Sequence, residues 1–248
     1  MRLHPRSGLF LPIAMLATTA NAAPPEGGVE SEQLWDSEAE LGISTASGNS
    51  ETSTYTGSVS GDRESEKTKL HLQADGRYSK EQGNPTTQRL HGLSQFDYKF
   101  RPEIYTFGLL DALHDRFGGY ELQLIESLGV GRMFFVDRDD LDWQADIGPA
   151  LRQQWLVDET YENSFNVRAR TLVKWEFAEN STLQEQFTWT QSVKDEDEYL
   201  FSSETGVSFR INSNLAFKTS VLVQHDSQPP EGTERTDVFT TTSLLYSF

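Results

Sequence analysis

From about residue 34 to the last residue, apolar and polar positions alternate with a period of two, broken at roughly strand-sized intervals by turn residues. Ser164–Phe177 shows it best. Phe165, Val167, Ala169, Thr171, Val173, Trp175 and Phe177 share one face, and Asn166, Arg168, Arg170, Lys174 and Glu176 share the other. In Lys69–Tyr78, Leu70, Leu72, Ala74, Gly76 and Tyr78 oppose Lys69, His71, Gln73, Asp75 and Arg77. In Leu141–Leu151, Leu141, Trp143, Ala145, Ile147 and Leu151 oppose Asp142, Gln144 and Asp146, with Pro149 predicting a bulge or strand end because proline cannot donate to a ladder. About twelve such strands fit, and helix-period apolar stripes are hard to find. No segment carries a run of ~18 apolar residues that would span a membrane as a helix.

The connections between these strands alternate in length. Short ones fall at Asp62–Glu66, Arg101–Glu103, Asp137–Asp140, Ala178–Ser181 and Asn212–Asn214. Between them lie mostly longer or more charged ones at Ser79–Thr87, Trp155–Asn163, Val193–Glu198 and His225–Glu234, plus tight turns at Ser47–Glu51 and Arg116–Gly119. A Greek-key sandwich predicts no such rhythm. An all-β, up-and-down antiparallel transmembrane β-barrel of about 12 strands does, with both chain ends on the periplasmic side.

The two ends of the chain point to the same compartment. Arg2, His4 and Arg6 precede a short apolar stretch, Leu9–Ala17, and Ala20-Asn21-Ala22 follows, the pattern of a secretory signal peptide over residues 1–22. A short linker over 23–33 then leads to the barrel over 34–248. At the other end Val238, Thr240, Thr242, Leu244, Tyr246 and Phe248 alternate with polar residues, and the final residue is aromatic. This resembles the terminal strand by which bacterial outer-membrane barrels are recognised by their assembly machinery, and assigns Tyr246 and Phe248 as the assembly signal. Aromatic residues near strand ends (Trp35, Tyr98, Phe100, Tyr105, Phe134, Phe135, Trp155, Tyr161, Trp175, Phe177, Tyr199 and Phe201) are expected to form girdles at the two membrane interfaces.

Composition narrows the chemistry. There is no cysteine, which removes disulfides, thiolate metal sites and cysteine nucleophiles. The formal charge of −17 becomes about −19 once Arg2 and Arg6 leave with the signal peptide, which argues against nucleic acid as a partner. The partners expected are outer-membrane lipid and the assembly machinery, and no motif indicates a protein partner, a cofactor or a metal.

Each candidate site has a plainer reading beside it. His71 and His91 lie on the polar faces of neighbouring strands, with Asp75 and Asp97 as expected partners. Such a pair could orient a general base, but no serine nucleophile can be placed beside it, and a lumenal polar ladder accounts for it. Asp111, His114, Asp115 and His225 lie near one rim, yet strands five and eleven are nearly opposite in a ring of twelve. The acidic runs Asp195–Glu198 and Asp158, Glu159 and Glu162 lack the ordered ligands of a calcium loop and read as solvated loops. Gly129-Val130-Gly131 and Gly118-Gly119 open no helix, so they read as packing or bending positions rather than phosphate loops.

The remaining charges map onto the inner face of the barrel. Candidate lumen-facing groups are Arg77, Asp75, His71, His91, Asp97, Asp142, Asp146, Arg168, Arg170, Lys174, Glu176, Glu204 and Arg210, joined by Arg89, Lys218, Glu38 and Glu40. Opposite charges on long side chains can fill a narrow barrel, and a wide porin needs more strands. The expectation is a structural or small-solute barrel of the outer membrane, with a narrow, cation-preferring pore and no catalytic site. A barrel hydrolase acting on lipid or peptide and a soluble secreted β-protein are the alternatives.

The opening segment Trp35-Asp-Ser-Glu-Ala-Glu-Leu-Gly-Ile-Ser-Thr-Ala-Ser-Gly-Asn-Ser-Glu-Thr52, and Asp115-Arg116-Phe117 followed by Gly129-Val130-Gly131, resemble a family of barrels known as domain of unknown function 481, or salt-induced outer membrane protein. The stretch Phe117–Tyr120 is shorter than that family's pattern. The resemblance implies an outer-membrane barrel and carries over no functional residues.

Overall fold

In the computed structural model the chain is described over residues 35–46 and 52–248. Every regular element there is a strand: β1 Asp36–Ala46, β2 Thr52–Glu64, β3 Thr68–Glu81, β4 Asn84–Arg101, β5 Ile104–Asp115, β6 Tyr120–Phe134, β7 Leu141–Leu156, β8 Tyr161–Ala178, β9 Ser181–Ser192, β10 Tyr199–Arg210, β11 Leu215–Asp226 and β12 Thr236–Ser247. Each pairs antiparallel with its sequence neighbours, and β1 pairs with β12, so the sheet closes into a barrel. At the seam Leu41 lies opposite Leu244, and Ser37 and Phe248 exchange backbone hydrogen bonds of 3.2 and 2.9 Å. Closure leaves no unpaired sheet edge, the condition for strands to cross hydrocarbon. The expected signal peptide and linker lie outside the described residues.

The period-two pattern sorts side chains to the two sides of the wall. Polar residues are buried inside: Gln95, Asp97, Gln123, Ser127, Asp146, Arg168, Thr190, Ser220 and Ser243. Large apolar ones are exposed outside, among them Leu41, Leu72, Leu90, Leu128, Ile147, Phe165, Val238 and Leu244. A soluble protein that showed this much contiguous apolar surface would aggregate, whereas lipid tails accept it.

The strands run further than their pattern suggests. Ser79–Thr87, expected as a longer loop, is almost wholly strand, with only residues 82–83 turning between β3 and β4. Gln82 and Gly83 both have positive φ (49° and 83°), the conformation a two-residue hairpin turn requires. The register shifts between the Ser79–Thr87 and Lys80–Pro85 pairs, so Thr86 of β4 is the extra residue of a bulge beside Pro85, a position where proline is tolerated in a sheet. Trp155–Asn163 likewise shortens to residues 157–160. Ser47–Glu51 lies outside the described residues, and among the described ones only 193–198 and 227–235 remain as longer connections at the end away from Asp36 and Phe248, so the rhythm of loop lengths there is weaker than the sequence implies. Pro149 does not end its strand. It stays paired with Val167 of β8, while the β6–β7 ladder breaks between the Ser127–Ala150 and Val130–Ile147 pairs.

Candidate functional site: the lumen and its cap

The inner face of β5 carries Tyr105, Phe107 and Leu109, all nearly without solvent exposure, with Leu93 and Met133 packed against them. These side chains project into the barrel because the facing strand gives way. A Cβ at Gly129 would lie 2.7 Å from the Phe107 ring, and one at Gly131 would lie 2.5 Å from the Tyr105 hydroxyl oxygen. The Gly-Val-Gly of β6 is therefore a seat for two rings, consistent with its reading as a packing position. Tyr105 is thus not a girdle residue as expected. Its neighbours along the inner face are apolar too, so they exclude water from within, and its ring points away from lipid. Both faces of β5 are apolar, so alternation alone could not assign them.

Beside this island sits an ionic cluster. Asp146 on β7, its side chain fully buried, receives Arg168 Nη1 at 3.2 Å and Arg170 Nη2 at 2.7 Å from β8, and the Tyr105 hydroxyl at 3.3 Å. Asp97 accepts from Gln95 Nε2 at 2.9 Å. On the far wall Lys218 contacts Glu40 at 3.0 Å and Glu204 at 3.7 Å, and Glu40 also accepts from the Ser243 hydroxyl. Asp142, Lys174, Glu176 and Arg210 are exposed, near the barrel end that carries Asp36 and Phe248.

Towards the opposite end, side chains reach across the lumen. Arg89 of β4 donates to Gln224 of β11, with Asp115 at 3.9 Å. Asp226 at the end of β11 accepts from the Tyr120 hydroxyl of β6 at 2.7 Å and from Arg152 Nη2 of β7 at 3.2 Å. Arg152, almost wholly buried, also lies 3.5 Å from Glu198. Arg77 stacks over the Phe239 ring at 3.9 Å. The connection 227–235 continues this crossing over the mouth. A Cβ on Gly119, in the β5–β6 turn, would lie 2.7 Å from the Pro230 Cβ, and the Asp226 carboxylate accepts the Gln228 amide at 2.9 Å. Gly119 has φ +86°, so the turn depends on glycine both for backbone and for space. Residues 227–235, held at their base by Asp226, form a cap resting on the far rim.

The histidines divide between the two faces. His91 is held on both sides, Nδ1 at 2.7 Å from Asp75 and Nε2 at 3.2 Å from Asp111. His71 meets Asp62 at 3.1 Å, and Asp97 contacts neither histidine, because the β3–β4 register sets it opposite Lys69. His114 bonds the Glu121 carbonyl at 2.6 Å, and His225 stacks on Tyr199 at 5.5 Å and bonds the Thr236 hydroxyl at 2.8 Å. His114 alternates outward from its neighbours Asp111 and Asp115, so the four rim residues do not converge. Among the described residues no group of three or more His, Asp or Glu side chains is placed to hold a metal ion.

The capped mouth is acidic. A hydrogen bond from the backbone amide of Thr160 holds Asp158 below the usual carboxylate range. Asp195 is held down in the same way by the Gln228 side chain and the Asp197 amide. Both therefore stay charged into mild acid. At the other end Tyr246 and Phe248 stack on the outer wall with centroids 5.9 Å apart.

A closed twelve-stranded antiparallel wall, apolar outside and charged inside, is a transmembrane β-barrel of the outer-membrane type. Residues 39–248 match the family model described as "Protein of unknown function, DUF481", and the chain belongs to that family. It is 30% identical over 144 residues to an uncharacterized protein, YdiY, of Escherichia coli K12, and the match covers 58% of this chain and about half (55%) of that protein. Among solved structures it resembles the NanC porin, with TM-score 0.52 and 7% identity over 85% of this chain and 98% of that one. It also resembles the COG4313 outer membrane channel of Pseudomonas putida F1, with TM-score 0.50 and 9% identity over 86% and 95% of the two chains. At such identities the likeness is one of fold.

Proposed function

We propose that the protein is a capped, narrow channel for small solutes in the bacterial outer membrane, with a preference for cations. The observation that carries this reading is Asp226. It ties β11 to β6 and β7 across the lumen and anchors the connection that covers the mouth. Buried ion pairs and the β5 aromatic island leave little cross-section for a wide stream, so flux requires the cap and its ties to move. Asp158, Glu159, Glu162, Asp195, Glu196, Asp197, Glu231 and Glu234 lie at the capped end. Their field concentrates cations within a Debye length, about 8 Å at physiological salt. Lumenal Asp75, Asp97, Asp111, Asp146 and Glu204 balance the arginines, so the sign of selectivity is set at the mouth. The outward-facing Phe248 at the seam, with Tyr246 stacked on it, suits an assembly signal presented to the insertion machinery.

The test is the reversal potential of the purified barrel in a planar bilayer under a tenfold KCl gradient. Cation preference is expected, and it should shrink as total salt is raised and the loop carboxylates are screened. Anion preference at low salt contradicts the acidic-mouth reading.

A further inference from the structure

The lumen is filled on one side only. Along β4 to β8 the inward side chains close on one another, and Gln95, Gln123, Ser127, Asp146, Arg152 and Arg168 are only 2–8% exposed. On the opposite side, formed by β1 to β3 and β10 to β12, the inward positions are small or hydrogen-bonding, and Thr56, Ser58, Ser60, Ser202, Gln224 and Thr241 stay half-buried. An open passage therefore runs along this second side.

Arg77 of β3 stands on that passage. Its guanidinium lies over the Phe239 ring at 3.9 Å, and its Nη2 donates to the Thr241 hydroxyl at 3.4 Å. A guanidinium has five N–H donors, so most remain for another acceptor. Arg89, His91, Arg152, Arg168, Arg170 and Lys218 each reach a carboxylate. Arg77 reaches none among the described residues within the ~4 Å of an ion pair. It is also paired in register with Arg89, and like charges facing each other across a ladder are unfavourable. The one carboxylate close to either guanidinium, Asp115, stands 3.9 Å from Arg89. Two neighbouring guanidiniums so weakly neutralised fit a carboxylate brought by a solute, which a planar fork can grip with two hydrogen bonds.

A simple anion is repelled by the acidic mouth, so the solute that reaches Arg77 must carry a positive charge as well. Glu204 of β10 answers that charge. Its side chain is 37% exposed, and its ion-pair contact is a loose 3.7 Å approach to Lys218. Glu204 and Phe239 are both paired with Leu222, so the carboxylate and the seat of Arg77 share one register row, two strands or about 10 Å apart. Building on the capped-channel reading, we propose that the passage carries small zwitterions, solutes with both an ammonium and a carboxylate group, and that Arg77 selects them. The carboxylate binds at Arg77 and Arg89, and the ammonium turns to Glu204.

The natural chain has no cysteine, so an introduced one reports access without interference. Thr56 is the register partner of Arg77 on the open side, and Ser127 lies in the filled half. In the full barrel in detergent, the neutral reagent methyl methanethiosulfonate should label Thr56→Cys roughly tenfold faster than Ser127→Cys, because a packed thiol is inert. L-Alanine should slow the labelling of Thr56→Cys. Ethylammonium, which lacks the carboxylate, and lactate, which lacks the ammonium, should need roughly tenfold higher concentrations for the same protection, the worth of one hydrogen bond to a charged group. Adding Arg77→Gln to Thr56→Cys should raise the half-protecting alanine concentration by a similar factor, and Glu204→Gln should weaken protection by alanine but not by lactate. Heat-dependent gel mobility verifies that each variant is folded. Equal labelling of the two cysteines overturns the one-sided passage. Alanine without effect, lactate as protective as alanine, or protection unchanged by both Arg77→Gln and Glu204→Gln overturns the zwitterion site. Each of these results stands apart from the reversal potential, which tests the cation-preferring channel itself.

Discussion

Replacing Asp146 by alanine is expected to destabilise the folded barrel by about 3–5 kcal/mol, because it strands two buried guanidinium groups. Arg168 and Arg170 both point at this one carboxylate, whose side chain has no solvent exposure, and Tyr105 donates to it as well. Water could rescue an arginine at a mouth, but not one sealed between the β5 island and the β7–β8 wall. The measurement is the urea midpoint of unfolding in detergent, read by loss of the compact species on an unheated gel. A second variant separates lost pairing from lost packing. Adding Arg168→Met to Asp146→Ala removes one orphaned charge and should recover part of the loss. A single variant within about 1 kcal/mol of wild type would show that solvent reaches the cluster and that the lumen there is wet.

Gly131→Val is the second large effect. The added side chain must occupy the volume of the Tyr105 ring, whose hydroxyl oxygen would lie 2.5 Å from the new Cβ. The backbone has little freedom to yield, because Gly131 is laddered to Tyr105 on one side and Asp146 on the other. Overpacking of this kind costs about 1–3 kcal/mol, and more where neighbours cannot shift. Tyr105→Ala in the same chain vacates the space, so the double variant should be more stable than Gly131→Val alone. If valine is accepted without loss, or if Tyr105→Ala adds its own cost on top, the glycine is not a seat for the ring.

How much of this was legible depends on what each residue's signal contained. β8 was read nearly to its ends, because Phe165 to Phe177 alternate strictly against a charged face and one reading satisfies all of them. β5 was not, since Ile104, Leu110 and Ala112 on one face and Tyr105, Phe107 and Leu109 on the other are equally apolar. The information that settles it lies in another strand, at Gly129 and Gly131, whose missing side chains make room. Ser79–Thr87 misled for a local reason: Gly, Asn and Pro in a charged stretch signal a loop, whereas a positive-φ pair and one bulge compress the turn to residues 82–83. The candidate site was legible as a set of charges but not as an arrangement. Asp226 meets Tyr120 and Arg152 only because closure brings β11 within reach of β6 and β7 across the interior. No spacing along the chain encodes that, and the same holds for Gly119 beneath Pro230.

The most direct test of the account is single-channel recording of wild type beside Asp226→Ala. Wild type should show small, infrequent openings, since Asp226 holds the crossing to Tyr120 and Arg152 and the base of the 227–235 connection. Asp226→Ala, verified as folded by its gel mobility, should open several-fold more often, because the cap loses its anchor while Arg152 keeps Glu198 as a partner. A wild type that conducts steadily through a wide pore, or an Asp226→Ala variant with unchanged gating, would contradict the capped-channel account.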